Sequence, residues 1–496
     1  MKENSPGDDG ITPKILKKTS HLYLEPLQHI LQLSLSQGIF PKELKLAKIV
    51  PLYKNGDEME LNNYRPISIL PAFSKILERL MYNRCINFFD NFGVLHNLQF
   101  GFRQKHGTNL AMIHLIDKIA SEINDNNVVM GLFIDLKKAF DTVDHKILLK
   151  KLEYLGIRGI ALNWFYSYLE ERKQFVQFNN TKSNQLSVKC GVPQGSILGP
   201  LLFILYINDL PMVSNLFTSL LFADDTSIFM AGKNINDVIL LMNSELKKLV
   251  KWLYINKLSL SIEKTNYMVF RSPRKKISRF REITVDSIVI RELEKIKFLG
   301  VILDNKLIWN EHIQNVKNKI CKSIGILCKC KKYFNENTLI ALYYSFVYPH
   351  LCYCIEVWGN ASQVHMLVLI NLQKKILRII ASKRYREHCA PLFSKFKIFD
   401  IEQIYKFFVI LFVYKYQRKL LPNLFNNFFT HLSNVHDHNT RNNEGFFVPY
   451  SRTECYKKLI RFTGVNFWNK IHTKINRNCT YQTYKKNLKR IILNVR

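Results

Sequence analysis

The sequence predicts an α+β protein whose mixed centre is followed by an α-helical, basic carboxy-terminal half. Three observations lead there. Val128 to Ile134 is a short, apolar, β-branched run, and two further apolar runs flank Ala223-Asp224-Asp225-Thr226; both have strand length and strand composition. After Asn310 the apolar residues fall at helical three- and four-residue spacings and continue to do so. Lysine and arginine together number 72 against 39 aspartates and glutamates, a formal charge of +33.

At 496 residues the chain is too long for one compact core, and two to four packed units are expected. Hydrophobic residues make up 47% and aromatics 12%, which excludes a disordered chain. The charge exceeds what solubility requires and calls for a polyanionic partner, either nucleic acid or an anionic membrane surface. Spanning a membrane is not expected: Leu198 to Ile207 and Phe407 to Tyr414 fall short of the roughly 20 apolar residues needed. Met1-Lys2-Glu3-Asn4-Ser5-Pro6 lacks a signal-peptide core, so the expected location is intracellular, in cytoplasm and nucleus. The ten cysteines lack disulfide-scaffold density. Cys352-Tyr353-Cys354 and Cys328-Lys329-Cys330 have one-residue gaps without a histidine at zinc-knuckle spacing, and read as buried or idle thiols in a reducing compartment.

In chain order, the first 60 or so residues mix helical patterning with breakers at Pro41 and Asn55-Gly56-Asp57. Ser74 to Phe89 is an amphipathic helix through Ile76, Leu77, Leu80, Met81 and Ile86. Val128 to Ile134 is a buried strand ending on Asp135. Thr142 to Leu155 is helical, stopped by Gly156. Ser219 to Met230 is a hairpin with two carboxylates at its tip. Strand-like runs follow at Tyr267 to Phe270 and Lys297 to Leu303, separated by the basic stretch Arg271 to Lys276. Ile313, Val316, Ile320, Ile324 and Leu327 then mark a helix whose Lys317, Lys322 and Lys329 reach solvent or phosphate. Val364 to Ile380 is a further long helix in a basic, aromatic-rich tail.

The chemistry rests on Asp135, Asp224 and Asp225. If the strand that ends on Asp135 neighbours the hairpin in one sheet, the three carboxylates converge on one edge. Converging hard oxygen ligands repel unless a divalent cation lies between them, and carboxylates with open positions suit Mg²⁺, with Mn²⁺ as a substitute. Two such ions can clamp the attacking and leaving oxygens of an in-line phosphoryl transfer. An isolated Asp-Asp turn is weak support, since aspartate is common in turns; its company in the right order is what gives it weight.

Phe133-Ile-Asp-Leu-Lys-Lys-Ala-Phe-Asp-Thr-Val-Asp144 resembles the first catalytic motif of non-LTR (LINE-type) retrotransposon reverse transcriptases, and Gly191-Val-Pro-Gln-Gly-Ser-Ile-Leu-Gly-Pro200 resembles their second. Phe222-Ala-Asp-Asp225 is similar to the catalytic hairpin, and Ile262-Glu-Lys-Thr265 and Phe298-Leu-Gly300 to the two motifs that follow. Upstream, Asn63-Tyr-Arg-Pro-Ile-Ser68 and Gln99-Phe-Gly-Phe-Arg103 resemble the finger-region blocks. Seven blocks in family order, over about residues 50 to 305, are far more specific than any one of them, and the match is nearest the jockey-like branch.

The resemblance implies a right-hand polymerase fold. Residues 1–48 would lead into the fingers, 49–305 would form fingers and a palm with an antiparallel sheet, 306–360 a helical thumb, and 361–496 a basic helical C-terminal region. It implies an RNA-directed DNA polymerase that takes an RNA template, a DNA primer or target DNA and dNTPs. Asp135 and Asp224 would be the principal metal ligands, Asp225 a supporting carboxylate, and the Leu136 carbonyl a further ligand. Phe140 would stand against the incoming sugar and exclude a ribose 2′-hydroxyl; the alternative is a core phenylalanine opening a helix. Gln194 would contact sugar and primer-side groups, with Gly195 allowing close backbone approach, or the pair is a plain Pro/Gly turn. Lys264 would sit beside the triphosphate, where a lone lysine otherwise faces solvent. Arg65 and Arg103 would lie near triphosphate or template, or serve as ordinary ion-pair arginines. Phe298, Leu299 and Gly300 would grip the primer end, and the basic helices beyond Asn310 would track the hybrid backbone.

Full-length elements of this type also encode an endonuclease, for which the stretch before Val50 is too short. The chain is therefore expected to begin after it, at Gly7-Asp8-Asp9-Gly10-Ile11, with nicking left to another polypeptide or a pre-existing break. The zinc knuckle of some relatives has no counterpart, and His438-Asn439-Thr440-Arg441 reads as a turn. Against the active polymerase stands a catalytically inert or domesticated remnant that binds RNA and DNA without turnover. A basic membrane-surface protein would need a distinctive basic amphipathic helix, and none is evident.

Overall fold

Val128–Ile134 carries no polar side chain and all seven of its positions are buried, so it must lie inside a sheet covered on both faces. The computed structural model, which describes residues 6–494 apart from 180, 279–280, 436–444, 473–474 and 476–478, puts it there. The sheet runs in the order Arg291–Glu292, Asn266–Phe270, Val128–Ile134, Asp225–Gly232, Thr218–Phe222. Its four longer strands are antiparallel, while the two-residue edge Arg291–Glu292 runs parallel to its neighbour. The motif His438 to Arg441 lies outside the described residues.

Strand alternation splits the sheet's side chains between two cores. Val129, Phe133, Leu220, Phe229 and Phe270 face one; Met130, Leu132, Ile228, Met230, Tyr267 and Val269 face the other. Gly131 lies opposite Phe229, where a Cβ would come within 2.6 Å of that ring. Two aromatic neighbours thus fill the space that a side chain at Gly131 would need.

The second core is covered by Ala72–Phe92, His145–Tyr154, Ile160–Leu169, Gly199–Tyr206 and Ile235–Ile255. The first core takes in Thr108–Asn124, buried without a break from Leu110 to Asp117, and then the helical half of the chain. That half is fastened to Thr108–Asn124 by polar contacts. Arg461 clasps Asp117 through Nε to Oδ1 at 2.9 Å and Nη2 to Oδ2 at 2.8 Å. The Arg452 and Thr453 amides both donate to Asn124 Oδ1, and Asn109 reaches the buried Glu356. Residues beyond 361 therefore share one core with the sheet.

Expected and observed elements agree best where one face is strongly apolar. Ser74 to Phe89 lies within Ala72–Phe92, Val364 to Ile380 within Gln363–Ile380, and Asn310–Cys330 buries all five expected apolar positions. The helix expected from Thr142 starts instead at His145, because Asp144 caps it by accepting from the Ile147 amide at 3.0 Å. Lys297 to Leu303 is not one strand. Lys295–Phe298 and Val301–Asp304 form a hairpin, and Leu299 and Gly300 make its two-residue turn with φ of +45° and +81°.

A strand that the early breakers obscured, Leu46–Tyr53, pairs antiparallel with Tyr64–Ile69 and parallel with Lys173–Phe178. Its Pro51 sits opposite Pro66. Among the described residues no helix is long and apolar enough to cross a membrane.

His312 joins the Val301–Asp304 strand to the Asn310–Cys330 helix, its buried Nδ1 accepting from the Ile302 amide at 3.2 Å. Burial holds its pKa down at about 4, and burial does the same for His114. A histidine depressed in the folded state is protonated first in the unfolded chain, so stability falls as pH drops from about 6.5 toward 4. Between pH 7 and 5 we expect a loss of about 2 kcal/mol per histidine, read from urea unfolding. His312→Gln should flatten that dependence, and an unchanged slope would refute the assignment.

Candidate active site

The last pair between the two central strands is Ile134 with Thr226, so one residue further on Asp135 stands beside Asp225. The neighbouring hairpin closes with Phe222 opposite Asp225, leaving Ala223 and Asp224 as its turn. All three carboxylates thus leave the same end of adjoining strands, as the sequence predicted. Loss of hydration among surrounding protein atoms, followed by repulsion from Asp224 and then Asp135, pushes the Asp225 carboxyl up to about 6; Lys54 acts against this. Hard oxygen donors crowded to that degree suit a divalent cation in charge and in chemistry. Among the described residues, however, no three His, Cys, Asp or Glu side chains already close around a single ion-sized point.

Ala223 takes φ +58°, a strained conformation for a residue with a Cβ. The reason it holds lies in a strap from Leu98 to Gly101. Leu221 donates to the Leu98 carbonyl at 3.0 Å, and Phe100 donates to the Leu221 carbonyl at 2.8 Å. The buried Gln99 accepts through Oε1 from Gly101 N at 2.9 Å and Ala223 N at 3.3 Å. A Cβ on Gly101 would lie 2.2 Å from Ala223 N. Sequence reading placed Gln99-Phe-Gly-Phe-Arg103 in the fingers and did not foresee this support; the glycine between two aromatics was the available signal. Arg103 braces the strap, its Nη1 donating to the His96 carbonyl at 2.9 Å and the Gln99 carbonyl at 3.3 Å.

On the other flank, Asp135 N donates to Thr265 Oγ1 at 3.3 Å, and the Asp135 carbonyl accepts from Ser261 N at 2.8 Å. The Lys137 amide donates to the Ser259 carbonyl. These bonds flank Leu136, whose own carbonyl has no donor among the described residues. Lys264 is exposed on the same turn.

Phe140 lies in a turn and does not open a helix. Its half-buried ring stacks on the buried Phe203 at 4.5 Å, with Phe102 edge-on at 6.3 Å. The Gln194 carbonyl accepts from Ser68 N at 2.7 Å. Gly195 has φ +128°, and a Cβ there would be 2.4 Å from the Ser68 carbonyl oxygen; the close approach it makes is to the protein's own strand. Arg65 is exposed on that strand, opposite Leu52.

Phe298 packs its ring 5.3 Å from that of Phe133, one residue before Ile134 at the strand end. Tyr353 donates its hydroxyl to the Leu299 carbonyl at 2.6 Å and lies 3.2 Å from where a Gly300 Cβ would be. The turn is therefore held by the helical half.

A five-stranded sheet edged by clustered aspartates, with helices behind it and a strand hairpin beside it, defines a polymerase palm and its surroundings. Residues 52–303 match the family model described as "Reverse transcriptase (RNA-dependent DNA polymerase)", and the chain belongs to that family, whose right-hand fold it shares. Among relatives, it is 28% identical over 391 residues to the RNA-directed DNA polymerase from mobile element jockey of Drosophila melanogaster, covering 76% of this chain and 42% of that protein. It is 29% identical to the probable RNA-directed DNA polymerase from transposon X-element of the same species, with the same coverage. Against that from transposon BS, also of D. melanogaster, it is 29% identical over 81% of this chain and 45% of the other. The chain thus spans less than half the length of these relatives. Among solved structures, telomerase from Candida albicans aligns with a TM-score of 0.43 and 12% identity, over 73% of this chain and 68% of that one.

Gly101→Ala should force the strap off the hairpin, costing about 1–3 kcal/mol of stability. It should also raise amide hydrogen exchange at Asp224 and Asp225. A variant as stable and as protected as the parent would show that the strap does not hold the turn.

Proposed function

We propose that the chain is an RNA-directed DNA polymerase of a non-LTR retrotransposon, adding deoxynucleotides to a DNA primer 3′-hydroxyl on an RNA template. The observation that carries this is the convergence of Asp135, Asp224 and Asp225 on one edge of the sheet, in a member of the reverse transcriptase family. Two Mg²⁺ ions, or Mn²⁺ in their place, held by these carboxylates and the Leu136 carbonyl, would activate the primer hydroxyl and neutralise the triphosphate.

The chain's own residues supply orientation and selection. Phe140, backed by Phe203, is a rigid wall against a 2′-hydroxyl. Gln194 presents its amide to the nucleotide sugar and primer-side groups, and Gly195 lets that loop lie against the fingers strand. Lys264 carries positive charge toward the departing pyrophosphate. Arg65 and Arg103 are cations near triphosphate or template, with Arg103 also bonded through Nη1 to the strap. Phe298, Leu299 and Gly300 hold the primer end.

In this reading residues 1–48 lead into the fingers, 49–305 are fingers and palm, 306–360 the thumb, and 361–496 a region that backs the palm. The +33 charge serves phosphate contacts along template and primer, and the protein acts in cytoplasm and nucleus. Nicking of target DNA falls to an endonuclease activity outside the residues described above.

Mg²⁺-dependent extension of a DNA primer on an RNA template tests the proposal. Asp224→Asn should abolish incorporation while hybrid affinity stays within about twofold, because the lost group binds metal and not phosphate. Tight hybrid binding without extension by the parent chain would favour the inert remnant. Phe140→Ala should admit ribonucleotides, raising their use relative to deoxynucleotides by roughly tenfold or more. An unchanged sugar preference would remove Phe140 from that role.

A further inference from the structure

Gln194 has a neighbour that the catalytic reading leaves unused. Asp141, directly after Phe140, accepts through Oδ1 from Gln194 Nε2 at 2.8 Å. An ionised carboxylate only accepts hydrogen bonds, so it must face the NH₂ end of the amide. Flipping the amide would set two acceptors against each other. The contact therefore fixes which end of Gln194 points away from Asp141, and that end is the carbonyl Oε1.

The backbone of Asp141 is itself held from several sides. Its amide donates to the Lys138 carbonyl at 2.8 Å, and its carbonyl accepts from Cys190 Sγ at 3.5 Å. Gly191 passes so close that a Cβ there would lie 2.7 Å from the Asp141 carbonyl oxygen. Gly191 N donates to the Val143 carbonyl at 2.7 Å, and Val192 N to the Phe140 carbonyl at 2.9 Å. The loop bearing Gln194 is thus laced along the turn bearing Phe140 and Asp141, and the side-chain bond completes the lacing. Burial holds the Asp141 carboxyl above the usual carboxylate range, with the Gln194 bond and then Lys138 acting against it, as for a partly desolvated acceptor that uses this donor.

We propose that Asp141 is a positioning residue for nucleotide binding: it locks the Gln194 amide in one orientation, so that the Oε1 end is presented to the incoming nucleotide. The proposal rests on the nucleotide-facing reading of Gln194 given above. In this role Asp141 acts through Gln194, by removing the wrong amide orientation and the entropy of a free glutamine side chain.

The test is steady-state primer extension on an RNA template by the full chain, with KM for the dNTP and kcat measured separately. The parent is compared with Asp141→Ala, Asp141→Asn, Gln194→Ala and the double variant Asp141→Ala/Gln194→Ala, each checked for an unchanged thermal midpoint. Asp141→Ala should raise KM roughly tenfold, the size expected for losing one charge-assisted hydrogen bond, with kcat within about threefold. Asp141→Asn, whose amide oxygen still accepts from Gln194, should recover most of that loss.

The double variant should be no worse than Gln194→Ala alone, because the lock has nothing left to hold. Raised KM in Gln194→Ala with parental KM in Asp141→Ala would overturn the lock while leaving Gln194 its role. Multiplying effects in the double variant would also overturn it. Parental KM in Gln194→Ala would overturn the nucleotide reading of Gln194 and the lock with it. Should Asp141→Ala not fold, Asp141→Ser, with its shorter side chain, takes its place under the same criteria.

Discussion

Three carboxylates crowded at one end of adjoining strands, with Lys54 only partly offsetting their repulsion, are an unfavourable arrangement, and much of the surrounding structure acts to keep them there. Asp225 shows the cost most directly: loss of hydration and repulsion from Asp224 and Asp135 together hold its proton to about pH 6. A flexible chain would splay the groups apart. Here Asp135 is pinned by the Ser261 and Thr265 contacts on one flank. Asp224 follows a strained Ala223 held by Gln99 on the other. Between them the seven-residue central strand is paired on both edges and buried on both faces, so its end cannot drift.

That rigidity requires two cores, one on each face of the sheet. The face carrying Phe133 and Phe229 is closed by Thr108–Asn124 and, behind it, by helices from the far end of the chain. The Arg461 clasp on Asp117 is bidentate, and its guanidinium also lies 4.2 Å above the Phe428 ring. A charge pair this enclosed stabilises little relative to apolar packing, but it is costly to break on one side only. It therefore specifies where the helical half docks. Tyr353 carries the same principle to the Leu299–Gly300 turn, which the helical half grips by a hydrogen bond to backbone.

Much of this was legible in the residues. Val128 to Ile134, the Asp224–Asp225 hairpin and the helix from Asn310 follow from periodicity alone, because each has a strongly apolar face or run and a clear stop. What stayed hidden was set by partners distant in sequence. Leu46–Tyr53 is broken by Pro51, and only pairing with Tyr64–Ile69 and Lys173–Phe178 makes it a strand. The Lys297 to Leu303 run reads as continuous because Leu299 gives no turn signal of its own. Arg103 carries the same charge whether it faces phosphate or backbone carbonyls, so composition could not tell a ligand from a brace. Gln99, 124 residues from Ala223, and Asp141, 53 from Gln194, act through single hydrogen bonds that leave no periodic trace.

These contacts also make the segments around Phe140 and Gln194 parts of one mechanical unit. The loop around Gln194 is bonded at once to the turn bearing Phe140 and, through the Ser68 amide, to the strand Tyr64–Ile69. Gly195 approaches that strand so closely that any side chain would separate the two. Glu78 anchors the same loop from beneath, its buried carboxylate accepting from Ile197 N at 2.7 Å and from the Tyr168 hydroxyl at 2.9 Å. A shift of that strand is therefore transmitted to Gln194 through backbone, and to Phe140 through the lacing between Val192 and the Phe140 carbonyl. Residues joined this way do not contribute independently. The Phe140 ring and the Gln194 amide must therefore move together, and whatever either contacts is set by the joined loops and by no single side chain.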